Sequence, residues 1–168
     1  MARYAENTTV TSEKSRAEIE RTLSRYGADQ FMYGWEAERA IIGFRMTDRQ
    51  VRFVLDLPDR DAKEFTHTPS RGTRRTAGQA EGEWEKACRQ RWRALALVVK
   101  AKLEAVDSGI TEFEDEFLAH IVLPDGTTAG QFIRPQIAAA YSTGTMPSML
   151  PALPAPSDDE IVDGEIVR

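Results

Sequence analysis

The 168-residue sequence predicts an α+β domain: a helix, a three-stranded antiparallel meander, a long amphipathic helix, then short C-terminal helices and a disordered tail. Three observations lead there. Apolar residues alternate with period two between Gln30 and Leu57, recur at 3–4 spacing from Trp84 to Val106, and give way to proline and acidic residues after 145. The expected boundaries are a flexible N-terminus over 1–10, one domain over 11–145, and a Pro-rich linker with an acidic tail over 146–168.

Thr11 or Ser12 can cap a first helix over about 13–26, whose buried stripe is Ile19, Leu23 and Tyr26 and whose stop is Gly27. Phe31, Tyr33 and Trp35 then form one face of a first strand. Ala40, Ile42, Phe44 and Met46 form one face of a second, and Val51, Phe53, Leu55 and Leu57 one face of a third. The connections Glu36–Arg39 and Thr47–Gln50 are short and polar, as hairpins require. Pro58 ends the third strand, and the aperiodic stretch Asp59–Gly82 reads as a long loop. A second helix runs from about Glu83 to Ser108, with Trp84, Cys88, Trp92, Leu95, Val99, Leu103 and Val106 on its apolar stripe. Lys86, Arg89, Arg93 and Lys100 fall roughly opposite.

Thr111 with Glu114 has capping-box spacing and opens an acidic helix over about 112–120. Ile121–Leu123 reads as a short extended piece and Pro124-Asp125-Gly126 as a turn. Thr128 with Gln131 is a second capping box, opening a helix over 129–141 that Pro135 should kink or break.

Composition narrows the function classes. The lone Cys88 cannot form an internal disulfide, and the chain shows neither a signal peptide nor an apolar run long enough to span a bilayer, so a cytoplasmic location with no membrane association is expected. The net charge of −5 is unevenly spread: residues 39–102 hold 15 Lys/Arg against 8 Asp/Glu, and residues 111–168 hold 2 against 10. No Gly-rich phosphate loop, H-E-x-x-H, C-x-x-C or G-x-S-x-G is present, so no catalytic residue, metal or cofactor is assigned and a non-enzymatic protein is expected.

Several residues are candidates for binding. Arg71, Arg74 and Arg75 in the long loop, with Lys86, Arg89, Arg93 and Lys100 on the second helix, could follow a phosphate backbone, although a solvated charged face would have the same composition. The row Phe31, Tyr33, Trp35 is either the core face of its strand or a stacking platform for unpaired bases; the need to bury one sheet face favours core. Glu116 and His120 have the i,i+4 spacing of a metal pair but also of an ordinary helix-surface contact. Cys88 reads as a buried thiol and His67 as a solvated loop residue. In the tail, Asp158, Asp159, Glu160, Ile161, Val162, Ile166 and Val167 alternate acids with apolar pairs, as a docking peptide for a basic-rimmed groove does, or as an inert solubilising tail does.

Two resemblances follow. The helix–strand–strand–strand–helix order over about 13–108 is similar to the double-stranded-RNA-binding domain, which would place Lys86 and Arg89 on phosphates at the start of the second helix. The runs EKSRAEIERTLSRYGADQF and CRQRWRALALVVKAKLEAVDSGITEFEDEFLAHIVLPDG resemble a family of small proteins encoded in phages and prophages, and the tail resembles those of bacterial and phage single-strand-binding and strand-annealing proteins. The expectation they imply is an accessory protein of phage DNA replication or recombination that binds nucleic acid, DNA above all. The alternative is an acidic protein that binds or inhibits a host protein. A homodimer would repeat the basic face by symmetry, which suits a duplex.

Overall fold

The computed structural model describes residues 9–36 and 38–145. The element order is α1 (Ser12–Arg25), β1 (Gln30–Glu36), β2 (Arg39–Met46), β3 (Arg49–Asp56), α2 (Lys63–Thr66), α3 (Ala77–Asp107), α4 (Phe113–Phe117), a 3-10 turn (Leu118–His120) and α5 (Ala129–Thr143). The expected α+β order is thus present, with one extra short helix.

Thr11 caps α1 by accepting from the Lys14 amide, and Ile19 and Leu23 are buried at the i, i+4 spacing read from the sequence. Gly27, with φ of 97°, takes the chain out of the helix. The three strands pair antiparallel in the order β1-β2-β3, with Phe31 opposite Phe44 and Phe44 opposite Val51. Thr47 and Asp48 both have positive φ, the backbone of a primed two-residue turn, which matches the right-handed twist of the strands it joins. One sheet face, carrying Ile42, Phe44, Val51 and Phe53, joins α1 and α3 in the core. On the other face Met32 and Val54 stay exposed.

The long loop is shorter than expected. α3 begins at Ala77, six residues before the predicted start, because Thr76 and Gln79 form a complete capping box. Gly78 and Gly82 disguise this start, since glycine costs about 1 kcal/mol in a helix interior and weakens the helical signal. The rest of the segment holds α2 and an isolated bridge between His67 and Arg74.

Beyond α3, the predicted Thr111–Glu114 box does not form: Glu112 is the N-cap of α4 without a side-chain bond, and Glu114 reaches Arg49 instead, at 3.5 Å. The expected single helix is α4 followed by a tighter 3-10 turn. Ile121 bridges Val51, and Val122 donates to the Gln50 carbonyl, so this extended piece lies along the outer edge of β3. The turn at Gly126 and the Thr128–Gln131 box form as predicted.

Two units divide within α5, the first reaching Phe132 and the second starting at Ile133. In the second, the helix continues past Pro135 rather than ending there, and Ile137 and Tyr141 are exposed. The tail residues Asp158, Asp159, Glu160, Ile161, Val162, Ile166 and Val167 lie outside the described residues.

Candidate nucleic-acid interface

The seven basic candidates divide by what each guanidinium or ammonium touches. Arg75 turns inward: its Nη1 donates to the carbonyls of Glu64, Phe65 and His67 at 2.8, 3.0 and 2.8 Å, satisfying the C-terminal end of α2. Arg93 is held by Glu18 of α1, and Arg89 lies 3.9 Å from Glu85 one turn before it. Arg71, Arg74, Lys86 and Lys100 remain exposed. The early start of α3 also places Lys86 and Arg89 in its third and fourth turns, away from the helix start where the double-stranded-RNA-binding resemblance would put them.

Cations that the sequence reading passed over complete the picture. Arg21 and Arg25 of α1 line a groove with Lys100 of α3, enclosing about 420 Å³. Glu18 is the one carboxylate lining it, and Arg93 already neutralises that charge. Glu104, one turn after Lys100 and bonded to the Tyr26 hydroxyl, is a further carboxylate beside the groove, so among the described residues its cations outnumber the carboxylates that can cancel them. Their i, i+4 spacing on α1 was visible in the sequence; that α1 lies alongside the basic flank of α3 was not.

A second cleft, of about 510 Å³, opens near the first turn of α1. Tyr33 and Trp35 of β1 line it with Trp84 and Trp92 of α3, so it holds every tryptophan of the chain. Burial of the aromatic row grades along β1. Phe31 packs against the core, Tyr33 is 36% exposed and Trp35 is 71% exposed, on a strand that forms the edge of the sheet. The expectation of a core face holds for Phe31 and fails for Trp35. Trp92, 4% exposed, is the floor, its ring 5.8 Å from that of Tyr33.

Among the described residues Arg16 and Arg89 line this cleft, and Arg60 sits 4.4 Å over the Trp84 ring. The Arg16 guanidinium sits 4.6 Å over the Tyr33 ring and 5.7 Å from that of Trp92. Arg89 lies across from it on α3. Their carboxylate partners, Glu13 at 3.4 Å and Glu85 at 3.9 Å, are well exposed, so these pairs contribute little to stability. The Trp84 indole donates to the Pro58 carbonyl at 2.8 Å, which fixes that ring. Cys88 is buried beside it, and burial pushes its thiol up to about 11, so it is protonated at neutral pH.

The candidate metal pair is not assembled. Glu116 binds Lys102 at 2.8 Å, and His120 stacks on Phe53 with ring centroids 4.1 Å apart. Among the described residues no group of three or more His, Cys, Asp or Glu side chains is arranged to hold a metal ion. No helix among them is long and apolar enough to cross a membrane.

No protein-family model, curated protein or solved structure matches this chain.

Proposed function

We propose that this protein is a non-enzymatic accessory of phage DNA replication or recombination, acting in the cytoplasm of the host cell and binding nucleic acid through cations of α1, α3 and the loop before α3. The observation that carries the reading is the α1–α3 groove, where Arg21, Arg25 and Lys100 surround a carboxylate already neutralised by Arg93. Arg71, Arg74 and Lys86 are exposed as well, on a chain whose total charge is −5. An acidic protein that merely needed solubility has no use for such a concentration. The phage context rests on the two sequence runs and the tail.

The test is fluorescence anisotropy of labelled DNA and RNA, single-stranded and duplex, at about 50 and 200 mM salt. Several phosphate contacts make affinity fall by orders of magnitude over that range, and each contact removed lowers the salt slope by about one. The triple variant Arg21→Gln/Arg25→Gln/Lys100→Gln should lower the slope by about three. Absence of binding at 50 mM salt would overturn the reading and turn attention to protein partners of the acidic residues.

A further inference from the structure

We propose that the aromatic cleft is a slot for one unpaired base, so that the protein prefers single strands to duplex. This rests on the reading that the protein binds nucleic acid and names the form it binds.

Placement of the tryptophans is the first support. Three indoles and Tyr33 converge on one cleft, and Trp35 keeps most of its surface in water although it stands on the helix-covered face of the sheet. Nothing among the described residues covers it. Tyr33 and Trp35 are two positions apart on a strand, a step of about 6.8 Å. That is two stacking distances of about 3.4 Å, the rise per base in one strand. The cleft volume, about 510 Å³, falls within the roughly 300–1,000 Å³ of small-ligand sites.

Charge supplies the second. A cationic ligand is disfavoured, because it would meet the like charge of Arg16, whose guanidinium covers π-surface of Tyr33 and Trp92 and leaves the exposed Trp35 ring for a base. A phosphate can take the guanidinium edges of Arg16 and Arg89 once Glu13 and Glu85, which also line the cleft but are exposed and weakly held, swing out into water. A planar ligand carrying a phosphate meets both conditions. In a duplex both faces of each base are covered by its neighbours, and unstacking one costs a few kcal/mol. A single strand offers the face freely.

Because every tryptophan lines the cleft, intrinsic fluorescence reports on it directly. Oligo(dT) should quench the full-length protein saturably, in step with the anisotropy of the same oligonucleotide. Trp35→Ala, at a site too exposed to be needed for folding, should weaken single-strand binding roughly ten- to hundred-fold while leaving duplex affinity unchanged within about two-fold. Trp35→Phe should recover part of the loss. Binding of oligo(dT) without quenching, or unchanged affinity in Trp35→Ala, would overturn the slot and leave the electrostatic reading standing. Quenching by a peptide of residues 146–156, whose prolines suit aromatic grooves, with none by oligo(dT), would overturn it in favour of a peptide site. No anisotropy change with any nucleic acid would remove both.

Discussion

The two edges of the sheet use aromatic residues in opposite ways. Along β3, Phe117 is 0% exposed and meets Phe44 and Phe53 edge-on at 5.8 and 6.3 Å, while Phe113 stacks on it at 4.8 Å. Residues 113–122 cover that edge and bond to its backbone at Gln50. Along β1, the rings of Tyr33 and Trp35 project beside Trp84 and Trp92 into open space. The residue types follow this division. Phenylalanine carries no polar atom and belongs where water is excluded, whereas tyrosine and tryptophan combine a large apolar face with a polar tip and suit a wet boundary. The covered edge adds to the buried core, and the uncovered one leaves aromatic surface open to solvent.

The sharpest way to break this comparison is to truncate one ring at each edge. Phe117→Ala should cost about 3–5 kcal/mol in urea unfolding, since it leaves a cavity among four elements. Trp35→Ala should cost within about 0.5 kcal/mol. Equal losses would show that the β1 edge is structural, and the aromatic cleft would lose its claim to be free for a ligand.

The covered edge also depends on close backbone approach. A Cβ at Gly130 would lie 2.7 Å from the Ala119 carbonyl oxygen, a distance only a backbone shift can relieve. Gly130→Ala should therefore destabilise by about 1–3 kcal/mol, read from the same unfolding curves. A stability equal to that of the unsubstituted protein would mean that residues 118–130 are held loosely, and that the two edges differ less than their burial indicates.

Much of this fold was legible because its cues are local. The period-two runs placed three strands, and Ile19 and Leu23 fell on the buried stripe of α1 as their spacing requires. What escaped were choices made between segments. Thr111 has the spacing to cap α4, but Glu114 is drawn to Arg49 across the chain. Arg75 looks like its neighbours Arg71 and Arg74 in sequence, and only the carbonyls left by α2 distinguish it. The cleft escaped for the same reason. Its rings come from positions 33, 35, 84 and 92, and the edge position of the strand that carries Trp35 is a property of strand order, which alternation does not encode.

Arg75 supplies a smaller test, now within the basic segment. Replacing it by alanine leaves three carbonyls of the α2 end without this donor, and Arg75→Ala should lose roughly 1–2 kcal/mol of stability. Arg74→Ala, at an exposed site, should be neutral in unfolding yet lower the salt slope of nucleic-acid binding by about one. Reversal of the two phenotypes would return Arg75 to the binding surface.

The smallest effect belongs to His120, which bears on whether the covered edge excludes water. Burial pushes its pKa below the ordinary histidine value, Lys102 adds to that push, and a backbone hydrogen bond at Arg52 opposes it. The folded state thus binds the proton less readily than the unfolded chain. Stability should be full above about pH 6.5, fall as pH drops through that value, and level off once pH lies below the folded pKa. Asp29, held below the usual carboxylate range by Arg45, and Asp125, held there by the Thr127 backbone and hydroxyl, act only in more acidic solution, below about pH 4. Urea midpoints at pH 7.5, 6.5 and 5.5 therefore isolate the histidine. In His120→Phe, which keeps an aromatic ring against Phe53, the decline across that interval should shrink or vanish. An identical decline in both proteins would mean that the ring on Phe53 titrates as freely as in water, and that the edge beneath residues 118–122 is wet.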